Sequence, residues 1–216
     1  MPQNQFNSYC RLVRLKGDPN KVDEAITLWT KEILAMLKKQ KGFGGATLVG
    51  NRKSGDGLSV SYWESEATMR EAGGHVRPEA LKVLSKTGGS IIEDDECEVA
   101  SLERFKEPKS GVWARVTTVQ GDPANVSKAI SNFKDTIVPS IQKQSGARTA
   151  MFFVNRQTGK ALAGSVWDTE QDLRKSEAAI GGLRAEAIEK FGSRNARTDV
   201  FEIYVTEILV PAGSAV

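Results

Sequence analysis

The chain repeats itself at one fixed interval. Gly17-Asp18-Pro19 recurs as Gly121-Asp122-Pro123, Asn51-Arg52 as Asn155-Arg156, Trp63 as Trp167 and Arg70 as Arg174, each 104 positions later. With that offset and no gaps, residues 11–103 match 115–207 at 25 of 93 positions. Conservative pairs extend the match: Trp29 with Phe133, Leu37 with Ile141, Met69 with Leu173, Val99 with Ile203. A period this long marks a duplicated folding unit rather than a short solenoid repeat. The 216 residues suit two units of about 100 each. The division expected is a first repeat over 1–105, a linker over 106–110 (polar, with Pro108), a second repeat over 111–210 and a tail over 211–216.

Each copy checks the elements read in the other. Residues 9–15 and 113–119 mix β-branched, aromatic and apolar residues without breakers, the signature of a strand. Asp18-Pro19 and Asp122-Pro123 then cap and open a helix. In the first copy this helix runs over about 20–40, with Val22, Ile26, Trp29, Ile33 and Leu37 on one face. Gly42 and Gly146 stop it. Two strands joined by a Gly-containing turn follow, 43–51 with 58–64 and 147–155 with 161–167. A second helix is expected over 66–86 and 170–190, and a long last strand over 91–105 and 195–209. Gly73-Gly74 and Pro78 predict a break or bend near 73–78 in the second helix of copy one, and Gly181-Gly182 another near 181 in copy two.

The order βαββαβ specifies a ferredoxin-like unit, an antiparallel sheet with both helices on one face. Its other face needs cover, and a second sheet is the partner that the chain itself carries. The fold class expected is α+β: two ferredoxin-like repeats forming one intramolecular, pseudo-dimeric α+β barrel, with room for a further homodimer of the pseudo-dimer.

Composition narrows the function classes. Net charge is +3 and the longest like-charge run, Glu93-Asp94-Asp95-Glu96, is acidic, which disfavours nucleic acid as a partner. No apolar stretch reaches 18 residues, so no membrane span is expected. Cys10 and Cys97 show no metal or redox spacing and read as free, buried thiols. With a polar N-terminus, these features lead to an expectation of a cytoplasmic protein. One histidine and two cysteines make no metal-ligand set, and no dinucleotide or phosphate-loop motif is present, so no cofactor is expected.

Ser61-Tyr62-Trp63-Glu64-Ser65-Glu66-Ala67 and its repeat Ser165-Val166-Trp167-Asp168-Thr169-Glu170 place a strand ending in Trp and acid immediately before a capped helix. With Gly42-Phe43-Gly44-Gly45 closing the first helix, the pattern resembles the dimeric α+β barrel superfamily, and most closely the antibiotic biosynthesis monooxygenase (ABM) domain, once per repeat. The resemblance implies a small-molecule substrate and cofactor-independent monooxygenation of an aromatic or polyketide-like compound, in which the substrate itself supplies electrons to dioxygen. A non-catalytic small-molecule-binding or structural barrel is the alternative. A haem-binding or haem-degrading protein is the third reading. Haem-degrading relatives of the superfamily use a His and an upstream Trp on the second helix and an Asn on the first strand; this chain has Asn7 and His75 but no Trp within 66–86.

The side chains that could carry chemistry are few. His75, the only histidine, has a neutral-range pKa by type and is a candidate base; Tyr62 and Tyr9 are candidate proton carriers or oxyanion donors. Trp63, Trp113 and Trp167 could wall an aromatic pocket, or serve as core plugs. Arg11 and Arg115 match across the repeats at mid-strand, where a charge must find a partner; cross-strand pairing with the equally matched Glu98 and Glu202 is one reading, an anion-binding arginine in a pocket the other, and Asn7 is a separate substrate-binding candidate. The first copy keeps more titratable groups, because Tyr62 aligns with Val166 and His75 with Ala179.

Overall fold

Both copies fold as β–α–β–β–α–β, because each keeps the same caps, turns and apolar spacing. The computed structural model describes residues 8–193 and 195–209; Asn7 and the tail 211–216 lie outside the described residues. The first copy supplies β1 (Tyr9–Lys16), α1 (Val22–Leu28), α2 (Ala35–Leu37), β2 (Phe43–Gly50), β3 (Asp56–Trp63), α3 (Glu66–Thr87) and β4 (Ser90–Arg104). The second supplies β5 (Trp113–Gln120), α4 (Val126–Asn132), α5 (Val138–Gln142), β6 (Ala147–Val154), β7 (Lys160–Trp167), α6 (Glu170–Lys175), α7 (Glu177–Lys190) and β8 (Ala196–Ile208). Hydrogen bonding orders the strands β1-β3-β2-β8-β5-β7-β6-β4 into a closed barrel, the α+β class expected of two ferredoxin-like repeats. None of the described helices is long and apolar enough to cross a membrane.

Two compact units emerge: the chain up to Glu96 together with the strand from Ile203 onward, and the segment Cys97–Glu202. In the first unit β1 runs antiparallel to β3, with Tyr9 opposite Trp63 and Arg11 opposite Ser61, and β3 pairs with β2. Period-2 alternation turns Arg11, Val13, Leu15, Ser59, Ser61 and Trp63 toward the helices. Cys10, Leu12, Leu58, Val60 and Tyr62 are buried on the opposite face. The helix side is filled by Trp29, Ile33, Leu37, Phe43, Trp63, Met69 and Val83. In the second unit Phe133, Ile137, Ile141, Phe152, Trp167, Leu173 and Phe191 take the corresponding role.

The first helical run starts where the sequence says. The Asp18 carboxylate accepts from the Asn20 amide at 2.9 Å and the Asp122 carboxylate from the Ala124 amide at 2.9 Å, satisfying a backbone donor that the helix leaves orphaned. Both runs then widen into a π-type turn at the same place, Trp29–Leu34 and Phe133–Ile137. Each π turn begins at a buried aromatic, Trp29 or Phe133. Gly42 and Gly146 end these runs at φ of 74° and 75°, where a Cβ would also meet Glu64 or Asp172.

The second helices depart from expectation. In copy one the helix is unbroken from Glu66 to Thr87, with Pro78 inside it. Gly73 is there for packing: a Cβ would run into the Arg11 guanidinium. In copy two the break falls at Ser176, not at Gly181. The Leu173 carbonyl, which an unbroken helix would pair with the amide of residue 177, receives the Ser176 hydroxyl at 2.7 Å and Arg115 Nη2 at 2.6 Å. Side-chain donors at that carbonyl interrupt the ladder. The counterpart of Ser176 is Ala72, which has no side-chain donor to compete.

Trp63 and Trp167 are 1% and 0% exposed, and their indole N–H groups donate to Ser61 Oγ at 3.0 Å and Ser165 Oγ at 2.9 Å. Those hydroxyls are what let a polar indole edge be buried. Ser61→Ala and Ser165→Ala should each cost about 1–3 kcal/mol by orphaning a buried donor, measured by urea denaturation; an effect under about 0.5 kcal/mol would show that the indoles find other acceptors.

Candidate functional site

Between the sheet and the helices of the first unit lies a cavity of about 150 Å³. That is the order of volume in which a benzene-sized ligand fits when the walls are apolar. Trp29, Leu48, Trp63, Met69, Val76 and Ala80 are among the apolar residues of its wall. Trp63 meets Phe43 edge to face, with ring centres 5.6 Å apart, which holds the indole in one orientation.

The polar corner of this cavity is built on Arg11. Arg11 Nε donates to Asp94 Oδ1 at 2.7 Å and Nη2 to Oδ2 at 3.0 Å, a two-pronged pairing. Glu96 Oε1 stands 3.7 Å from Nη1. Arg77, from α3, donates to the second oxygen of Asp94. Asp94 is 15% exposed, and both of its oxygens accept from guanidiniums. The cross-strand partner read from the sequence, Glu98, instead pairs with Arg156 in the second unit, accepting from Nε at 2.5 Å. The reason is register: on β4 the acids that come alongside Arg11 are Asp94 and Glu96, out of the acidic run at residues 93–96. Tyr204, on the wall of the same cavity, arrives from β8 and lies under the Arg52 guanidinium, 4.9 Å from its ring centre.

The residues singled out from the sequence divide. Arg11 and Trp63 come together on the cavity wall. Tyr9 is half-buried beside the same core, opposite Trp63, but is not among the residues lining the cavity. Tyr62 is 5% exposed and sits on the other face of β3, as alternation demands of a neighbour of Trp63. His75 is exposed on α3, its Nδ1 3.2 Å from Gln40 Oε1, and takes no part in the cavity. The groups that the sequence pointed to as a base therefore do not converge on one point with Trp63. Asp94, Arg77, Trp29 and Tyr204 were not among the candidates. Asp94 was visible only as part of an acidic run, and Tyr204 could not be placed without the strand order.

The second unit has a smaller cavity at the matching place, about 80 Å³. Arg115 lies in its wall, 6% exposed. Its Nη1 donates to Ser176 Oγ at 3.1 Å, and its Nη2 lies 3.1 Å from Glu177 Oε2. Burial pulls the Arg115 guanidinium below its ordinary pKa, against the pull of Glu177. Here too the partner is not the one read from the sequence, Glu202, because Arg115 is met from the helix side. Trp113 packs half-buried against the core of this unit and Trp167 lies within it, neither lining the cavity.

A haem reading meets these walls poorly. His75, the axial ligand that this reading needs, is exposed on α3 and is not among the residues lining the cavity. Both cysteines are buried and neither forms a disulfide.

No protein-family model matches the chain. Two uncharacterized proteins of Mycobacterium tuberculosis, Rv2557 and Rv2558, align along nearly all of it. The first is 23% identical over 203 residues, covering 94% of this chain and 90% of the relative; the second is 22% identical over 204 residues, covering 94% and 86%. Among solved structures, an anthrone oxidase-like protein superposes with a TM-score of 0.68 at 14% identity, covering 98% of both chains. A monooxygenase-like protein from Listeria innocua gives 0.56 at 10% identity, covering 93% of this chain and 98% of the other. A ferredoxin-fold protein from Listeria monocytogenes related to antibiotic biosynthesis monooxygenases gives 0.54 at 13% identity, covering 94% and 99%. What these likenesses share with the chain is the fold, a ferredoxin-like α+β barrel, over nearly the whole length.

The Glu177 carboxyl sits below its ordinary 4.5, chiefly because Arg184 donates to it, with Arg115 adding to the field. A carboxyl depressed in the folded state binds fewer protons than in the unfolded one, so its stabilisation is present above the ordinary value and is lost as pH falls through the depressed one. Between about pH 5 and pH 2, wild type should lose stability more steeply than Glu177→Gln, read as thermal midpoint against pH. Parallel acid limbs would show that the two arginines contribute nothing through Glu177.

Proposed function

From a tandem ABM-like barrel with this cavity in its first unit, we propose that the chain binds a compact, ring-bearing small molecule there, with one phenolic or keto oxygen turned toward Arg11. The supporting observation is the pairing of a mostly apolar, Trp-walled space with a charged corner at Arg11, Arg77 and Asp94. Ligand sites are commonly built this way: apolar surface supplies affinity and one or two placed polar groups supply orientation. The Arg11 guanidinium is held by Asp94 and Arg77 lies beside it, so a ligand oxygen meets donors already in place and little reorganisation is needed.

Cofactor-independent monooxygenation is the second reading, favoured by Arg11. In such a reaction a phenol loses its proton and gives electrons to dioxygen; one oxygen atom enters the ring to form a quinone and the other leaves as water. A guanidinium in an apolar wall suits the developing phenolate. The proton acceptor is the weak point. Asp94 is the nearest carboxylate, but its lone pairs are engaged by two arginines, while His75, Tyr62 and Tyr9 lie off the cavity walls. Binding is thus better supported than proton abstraction, and the non-catalytic reading stands first.

Titrating simple phenols such as p-cresol, followed by calorimetry, tests the site. Saturable binding is expected, weakened about tenfold or more in Ala80→Phe, which fills the cavity without removing a charge. Unaltered binding in that variant would place the ligand elsewhere. Oxygen uptake with the bound phenol separates the two readings: one O2 consumed per quinone formed supports the oxygenase, and tight binding without uptake supports the binding protein.

A further inference from the structure

The two cavities hold the same position in their copies, yet the charges around their arginines are arranged differently. At aligned positions Asp94 becomes Thr198, Glu96 becomes Val200, Gly73 becomes Glu177, Ala80 becomes Arg184 and Arg77 becomes Gly181. The strand acids that match Arg11 are gone in copy two. In their place the helix brings a second cation and a single acid.

Arg115 and Arg184 both line the second cavity, and no carboxylate does. Glu177 reaches both from the side: Arg184 Nη2 is 2.5 Å from its Oε1, and Arg115 Nη2 is 3.1 Å from its Oε2. The Glu177 side chain is nonetheless 48% exposed, whereas that of Arg115 is 7% exposed. A deeply buried guanidinium thus shares with a second cation one counterion that is itself half in water. A buried cation gains most from an anion that is buried with it, which the half-exposed Glu177 carboxylate is not. Gly181 gives that carboxylate its resting place, since a Cβ there would lie 2.6 Å from Glu177 Oε1. Beyond the arginines the cavity closes on Phe133, Phe152 and Phe191, the first two stacked with ring centres 5.3 Å apart.

We propose that the second unit carries a binding site for a small monocarboxylate, its carboxylate between Arg115 and Arg184, its apolar body against Phe133, Phe152 and Phe191, and Glu177 acting as the internal counterion that the ligand replaces. The planar fork of Arg184 suits a carboxylate, and Arg115, whose terminal nitrogens also hold Ser176 Oγ and the Leu173 carbonyl, adds its positive charge. The volume of about 80 Å³ limits the body to one ring or a short branched chain. This assignment is separate from the first cavity, where Arg11 is already matched by acids and a neutral or phenolic oxygen is the better fit.

Calorimetric titration of the full chain with benzoate, and with benzyl alcohol as its uncharged counterpart, tests the assignment. Benzoate should bind about tenfold or more tightly than benzyl alcohol. Arg184→Ala should remove most of that preference. Glu177→Gln, which deletes the competitor and keeps its shape, should tighten benzoate by about threefold or more and leave benzyl alcohol unchanged. The Glu177→Gln gain is a signature that a merely structural ion pair would not produce. Ala80→Phe, which blocks only the first cavity, should leave benzoate binding intact. Equal affinity for the two ligands, indifference to Glu177→Gln, or loss of benzoate binding in Ala80→Phe would each overturn the proposal; the last would move the acid to the first cavity and leave the reading of that cavity standing.

Discussion

A guanidinium set into the middle of a strand, on the face that packs against helices, has to be answered by something. Burying a charge without a partner costs several kcal/mol or more, so in this protein Arg11 and Arg115 organise what surrounds them. Around Arg11 the answer comes from β4, through Asp94 and Glu96, and the helix opposite steps back by having Gly73 where a Cβ would collide. Around Arg115 the answer comes from the helix, through Ser176, Glu177 and the Leu173 carbonyl. Taking that carbonyl splits α6 from α7. The duplicated arginine is thus answered differently in the two copies, and with Ser176 in place of Ala72 the second copy breaks the helix that the first keeps whole.

The same two arginines give the cavities their character. Both copies keep an apolar space between sheet and helices, and both open a π-type turn at an aromatic residue facing it, Trp29 or Phe133. Trp63 and Trp167 are locked by Ser61 and Ser165 into equivalent positions, yet only Trp63 reaches a cavity wall. In copy two Phe152 and Phe191 stand where copy one has Leu48 and Thr87, and the cavity they line is the smaller one. Duplication here has kept the frame and let the linings diverge. The shared fold with monooxygenase-like proteins speaks to the frame alone, because chemistry on a widely used fold resides in the lining.

Much of the frame was legible along the chain. The 104-residue offset, the Asp-Pro helix starts, the glycine stops and the Trp-acid strand ends specify two βαββαβ units, because each is a local signal whose physics acts within a few residues. That Cys10 and Cys97 are buried and form no disulfide was legible for the same reason: their spacing matched no chelate or redox pair. The helix breaks were misread because Gly73, Pro78 and Gly181 were weighed by intrinsic propensity, while packing against Arg11 and the capture of the Leu173 carbonyl decided the outcome.

The candidate site was legible only by halves. Arg11 and Trp63 stood out through repetition, and they do meet. His75 and Tyr62 stood out through chemical type, and type says nothing about direction: Tyr62 follows Ser61 along a strand and so faces the other way, and His75 lies on the outer side of α3. Repeat, element order and fold class were determined by the sequence itself, since hydrophobic period and turn chemistry are properties of neighbouring residues. Which acid answers each arginine, that Tyr204 joins a cavity built by residues more than a hundred positions away, and that the two cavities differ in charge were decided only when strand register and helix packing brought distant residues within a few ångströms, the range over which charges and hydrogen bonds act.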